Sequence, residues 1–184
     1  GTVLHGRGTG QRTLVEVAGS GSQTLTGSAR SMIDKVVPAG ATSFRVNSTS
    51  GLAVGDTVRV TRPTTANWIS DLGMDMIPPR SDGGTVNQWT TSTIKLRFDR
   101  VVTRIEGNRV FLDAPLPQSF EQQYGGGTIQ KYVWPGRINN VGIENLRGDS
   151  DFTSPTDEDH AWDFVSIDAA QNVWVRDIEA LHFG

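Results

Sequence analysis

The chain has no cysteine among its 184 residues. Disulfide frameworks and thiolate metal sites are thereby excluded. No apolar run approaches the ~20 residues that a helix needs to cross a bilayer, so membrane insertion is not expected. Positive charge is not in excess either: 17 Lys and Arg stand against 20 Asp and Glu, a formal net charge of -3. With no basic surplus to neutralise phosphates, nucleic acid is not an expected partner. Hydrophobic residues make up only 36% of the chain, whereas glycine reaches 21 residues. That balance favours short strands joined by tight turns over amphipathic helices. The chain starts at Gly1 without an initiator methionine and stops at "ALHFG", directly after a strand-like phrase. A segment of a longer secreted, extracellular protein is therefore expected.

What is present is a repeated phrase. "NVGIENL" begins at Asn140 and "NVWVRDI" at Asn172, with Asn, Val, an aliphatic residue and a final Leu or Ile in the same places. In both, Val141 with Ile143, and Val173 with Val175, alternate with outward positions, the period of a half-buried strand. "AWDFVSID" lies between them and supplies Trp162, Phe164, Val165 and Ile167. The N-terminal "TVLHG" and "TLVEVAG" follow the same grammar of short strand, glycine turn and short strand. A fixed period of this size marks stacked coils, none of which buries its apolar side alone. Parallel stacking would place Asn140 over Asn172 and let their amides form a ladder. An antiparallel sandwich with two similar strands is the other arrangement compatible with two copies.

"NNVGIENLRGDSDF" and "AWDFVSIDAAQNVWVRDIEALHFG" resemble coils of the right-handed parallel β-helix proteins of the pectate-lyase-like superfamily. The glycine-rich "GTVLHGRGTGQRTLVEVAG" looks like the coil that precedes such segments. The resemblance implies an all-β fold of right-handed parallel β-helix coils over residues 1–37 and 128–184. Residues 38–127 follow a different grammar. There "SFRV", "DTVRVTR" and "DRVVTRIEGNRVFL" read as antiparallel strands, the last a hairpin turning at Glu106-Gly107-Asn108. A small antiparallel β-barrel or sheet inserted between coils is expected. Within it, Thr64 or Thr65 is placed to cap a short helix carrying Trp68, Ile69 and Leu72. A long loop then runs to Trp89.

The sharpest local feature is "RGDSDFTSPTDEDHAWD", with six carboxylates between Asp149 and Asp163. Ten of the twenty acidic residues fall between Glu144 and Glu179, against only Arg147 and Arg176. Hard cations take several converging oxygens, so Asp149, Asp151, Asp157 and Asp159 are candidate calcium ligands. A solvated turn whose Asp side chains cap backbone donors is the other reading. His160, beside Asp159, and Asp163 are candidates for acid–base work. The resemblance implies an Arg or Lys base acting beside a uronate carboxylate, with acidic calcium ligands. The family's phrase Val-Trp-Ile-Asp-His corresponds here to Val173-Trp174-Val175-Arg176-Asp177, so Arg stands where the family has Asp, and Asp where it has His. Arg176 is a catalytic candidate, and with Trp174 on the same outward face it is suited either to gripping an acidic sugar by charge and stacking or to a surface cation–π pair. Glycoside hydrolysis needs two carboxyls across a sugar, and stacked coils could set a pair one strand apart.

Five tryptophans are many for this length. Trp68, Trp89, Trp162 and Trp174 are candidate sugar-stacking surfaces, with core packing the alternative for each. Two functions follow. One is an extracellular protein that binds a polysaccharide and, if it is an enzyme, cleaves it as a lyase or glycoside hydrolase. The other is a non-catalytic structural or adhesive segment of an appendage, spike or filament, in which open strand edges pair with further coils or with other copies.

Overall fold

A computed structural model describes residues 1–94 and 96–184. The strands, in chain order, are β1 (Thr2–Gly6), β2 (Thr13–Ala18), β3 (Thr24–Ser31), β4 (Val36–Val37), β5 (Ser43–Arg45) and β6 (Thr57–Arg62). After helix α1 (Ala66–Asp71) come β7 (Leu96–Glu106), β8 (Arg109–Leu112), β9 (Phe120–Glu121) and β10 (Thr128–Val133). The chain closes with β11 (Ile138–Ser150), β12 (Asp163–Asp168) and β13 (Ala170–Leu181). The protein is all-β apart from α1 and one 3-10 turn at Gln122–Tyr124. No helix among the described residues is long and apolar enough to cross a membrane.

The chain forms two compact units, Gly1–Gln23 with Trp134–Gly184, and Thr24–Val133. The sequence expectation placed the changes at 37/38 and 127/128. The physical reason for the observed division is strand pairing, since β3 and β10 are antiparallel partners. Their pairing draws residues 24–37 and 128–133 into the second unit.

In the first unit the repeat is parallel. β1, β11 and β13 form one sheet in that order, and β2 with β12 form another. Val141 lies opposite Val173, Ile143 opposite Val175 and Leu146 opposite Ile178. The antiparallel-sandwich alternative is thereby removed for the repeated phrases. The long strands β11 and β13 are each bent twice, and the bends are in register. Asn140 and Asn172 have φ of 58° and 52°, and Asn145 and Asp177 have the same two values. Asn and Asp tolerate this left-handed region better than other residues with a Cβ. The shared property of Asn140 and Asn172 is thus a corner in the backbone, and both side chains are exposed.

In the second unit the order is β3-β10-β6-β7-β8-β5, with antiparallel neighbours. Its two edges meet: Met32 bridges Val46, and the N–H of Ile33 donates to Arg45 O at 3.0 Å. The sheet therefore curls back on itself around a core containing Phe44, Val58, Val60, Val102, Leu116 and Ile129. β6 shows why: Val58 and Val60 are fully buried, while Thr57, Arg59 and Thr61, which alternate with them, are only half-buried. Thr65 occupies the N-cap position of α1, but its hydroxyl does not cap the helix. Residues 73–94 contain no strand or helix and are fastened where the Trp89 N–H donates to Met74 O at 2.8 Å.

Candidate functional site

The outward positions of β11 and β13 carry three successive features, all within the first unit. The first is set by the pairing of Gly142 with Trp174 and of Glu144 with Arg176. The indole of Trp174 lies over the Cα of Gly142, where any Cβ would collide with the ring. Its Nε1–H donates to Glu144 Oε1 at 3.0 Å. Arg176 donates to the other oxygen through Nε at 2.9 Å and Nη2 at 2.6 Å. These donors, with the indole first and the guanidinium second, hold the Glu144 carboxyl below its ordinary range. The ring is fixed by strand, glycine and carboxylate, yet remains 44% exposed. Trp174 and Arg176 thus share Glu144 in place of the expected cation–π pair. Arg176 is the charge partner of Glu144 in this arrangement.

The second feature is a groove of about 510 Å³ at the bend formed by Asn145 and Asp177, walled by Thr2, Arg147 and Glu179. Arg147 Nε lies 3.6 Å from Glu179 Oε2 across it. Each carboxylate of β13 faces a non-carboxylate neighbour: Glu179 lies opposite Arg147, and Asp177 is the bend equivalent of Asn145. The carboxylate pair imagined one strand apart is therefore not formed on this sheet.

The third feature is a cleft of about 530 Å³ between the β1–β2 turn and the acidic loop, lined by His5, Thr9, Asp149, Asp151, Phe152 and Asp157 among others. A smaller hollow of about 210 Å³ adjoins it and shares Phe152 and Asp157. The loop holds its shape through its own carboxylates. Asp151 Oδ2 accepts the N–H of Gly8 at 2.9 Å, and Asp159 Oδ1 accepts that of Gly10 at 2.8 Å. Asp157 accepts the N–H groups of Asp159 and Thr153 and the Thr153 hydroxyl. Those bonds hold its carboxyl below the usual carboxylate value. Asp149, Asp151, Asp157 and Asp159 are thus committed to different partners. No group of three His, Asp or Glu among the described residues converges to hold a metal ion.

His160 is 6% exposed and sits beneath this loop. Its Nδ1 lies 2.9 Å from Ala161 O, its Nε2 3.0 Å from Asp157 O, and Ser150 Oγ is 3.3 Å from Nδ1. Both ring nitrogens face the protein itself, which makes the residue a fastener of the loop. Asp163 accepts a bond from Thr13 Oγ1 at 3.2 Å, between the paired strands β12 and β2. Trp162 donates from Nε1 to Glu158 O at 3.2 Å and is 38% exposed. Trp68 and Trp89 belong to the second unit, where their rings lie 6.0 Å apart. There the guanidinium of the buried Arg62 stacks 4.3 Å from the Trp68 ring centre and bonds Ser119 O and Glu121. Of the four tryptophans, two thus pair beside the long loop of the second unit, and two are exposed in the first.

Sequence reasoning missed His182. Its Nδ1 lies 2.9 Å from Asp149 Oδ1, and its ring stacks on Phe152 at 4.2 Å with an interplanar angle of 16°. The signal was in the repeat: continuing the parallel register sets Leu181 opposite Asp149 and puts the next residue, His182, at the rim of the cleft.

No family model matches the chain, and no curated protein matches it. Solved structures similar to it include three phage tailspikes. The tailspike protein gp49 from Pseudomonas phage LKA1 is 16% identical over 75% of this chain, with a TM-score of 0.37. The Gp54 tailspike of Acinetobacter baumannii bacteriophage AP22, solved in complex with A. baumannii capsular saccharide, is 12% identical over 91%, with a TM-score of 0.41. The Pseudomonas phage phi297 tailspike gp61 is 14% identical over 92%, with a TM-score of 0.42. The likeness covers only 20%, 32% and 24% of those three chains respectively.

Proposed function

We propose that this chain binds a polysaccharide along the outer flank of its three-stranded parallel sheet, and that the sheet belongs to right-handed parallel β-helix coils of an extracellular protein. The supporting observation is the Trp174 indole, laid on Gly142, anchored by Glu144 and left half-open to solvent. Sugar rings present apolar C–H faces that stack on flat aromatic surfaces, and an immobilised ring loses little entropy on binding. The groove at Asn145 and Asp177 and the cleft at Asp149 follow along the same strands, so successive residues of a polymer meet successive features. The cleft lining carries Asp149, Asp151, Asp157 and Asp159 and no Lys or Arg. That field favours neutral or amine-bearing glycans over uronate polymers. Titration calorimetry against neutral, amine-bearing and uronate polysaccharides tests the reading. Binding to one of the first two groups, weakened about tenfold or more by Trp174→Ala, is expected. Binding to none of them, or equal binding by Trp174→Ala, removes it.

One observation favours the adhesive or structural reading as a second role. Val175 lies opposite the 8%-exposed Ile143 yet is itself 37% exposed, because β13 is an outer strand of its sheet. Such an edge can pair with a strand of another copy. Light scattering that reports monomers at every concentration removes this second role without touching the first.

A further inference from the structure

The glycan-binding reading above assigns no role to the ring of His182. Three observations single it out. First, Nδ1 is engaged by Asp149 at 2.9 Å while the side chain stays 43% exposed, which leaves Nε2 as the ring atom available for other chemistry. Second, stacking on Phe152 fixes the ring plane, so its orientation is set at two points. Third, His182 has φ of 59°, a left-handed conformation that residues with a Cβ rarely hold without compensation and that recurs at functional sites. Asp149 lines the larger cleft, His182 the smaller one, and Phe152 both. The imidazole therefore stands at the junction of the two. An imidazole with one nitrogen held by a carboxylate and the other free is the orienter–base unit used for proton transfer. His160 lacks that freedom, since both its nitrogens face carbonyl oxygens.

We propose that His182, aligned by Asp149, is a catalytic proton-transfer group, and that the cleft hydrolyses a carbon–oxygen bond of the glycan it binds. This rests on the glycan-binding reading above. Water is the co-reactant. Its oxygen forms a bond to the electrophilic carbon of the ligand while the Nε2 lone pair takes a water proton. The bond from that carbon to the departing sugar oxygen breaks, and the proton passes from Nε2 to this oxygen. One water is consumed, two hydroxyl-bearing products leave, and nothing is oxidised or reduced. Asp149 acts through His182 and is a positioning residue.

The test uses the whole chain with neutral and amine-bearing polysaccharides, following binding by calorimetry and cleavage by new reducing ends and released acid. A bound polysaccharide is expected to be hydrolysed. His182→Gln should bind within about threefold of wild type and lose about 10²- to 10⁴-fold in kcat. Asp149→Asn should lower kcat at unchanged KM and alter the pH profile, which a merely structural carboxylate would not do. A polysaccharide that binds wild type and stays intact overturns the proposal, whatever the variants do. So does wild-type kcat in a folded His182→Gln. Failure of wild type to bind any polysaccharide instead overturns the binding reading beneath it.

Discussion

The indole of Trp174 rests on the Cα of Gly142 one strand away, and Glu144 receives the indole N–H from two residues beyond that glycine. This relationship orders an exposed aromatic ring that would otherwise sample several rotamers. It also makes a clear demand on position 142. Gly142→Ala puts a methyl group where the ring lies, so the ring must lift from the sheet. Overpacking of this kind costs about 1–3 kcal/mol. Tryptophan fluorescence should shift to the red and glycan affinity should fall toward that of Trp174→Ala. An unchanged spectrum would place the ring elsewhere.

The same carboxylate predicts a pH dependence. Glu144 titrates below its ordinary 4.5 because its charged form accepts bonds from Trp174 and Arg176. The folded state thus holds the anion more firmly than the unfolded state does. The resulting stabilisation is complete above the unfolded value and is lost as pH falls through the folded one. Near-UV circular dichroism between pH 6 and 3 should show the Trp174 signal fading within the acidic part of this range. Glu144→Gln should remove that transition while leaving the neutral-pH fold intact.

Burial predicts that two equivalent inward positions differ in tolerance. Ile143 is 8% exposed and Val175, its partner one strand along, is 37% exposed. Ile143→Asp should unfold the parallel unit, since burying an unpaired carboxylate costs several kcal/mol. Val175→Asp should lower the melting temperature far less, because its carboxylate reaches water beside the outer strand. Equal losses in thermal melts would show that another strand covers β13 in solution.

The paired bends give a backbone test. Asn145 and Asp177 share φ near 55° in adjacent strands. Asn145→Val puts a branched Cβ into the left-handed region and should destabilise by about 1–2 kcal/mol. Asp177→Gly should be neutral or stabilising by up to about 1 kcal/mol, because glycine holds that conformation without strain. Chemical denaturation of both variants reads the difference.

The sequence alone pointed to the parallel register and left an antiparallel sandwich open until the strand pairing removed it. Two copies of one phrase at a fixed spacing put Val141 beside Val173, and period-2 alternation said which side faces in. It also located the β7–β8 hairpin, because Gly107 and Asn108 carry the turn and the apolar arms have the right length. Tertiary structure alone decided which polar residues meet. His160 reads in sequence as an acid–base candidate beside Asp159, yet it is buried and both its ring nitrogens face backbone carbonyls. His182 reads as a terminal residue, yet register carries it to Asp149. The difference has a physical origin: apolar burial is periodic and leaves its period in the chain, whereas a hydrogen-bond partner depends on loop paths and side-chain directions that have no period to read.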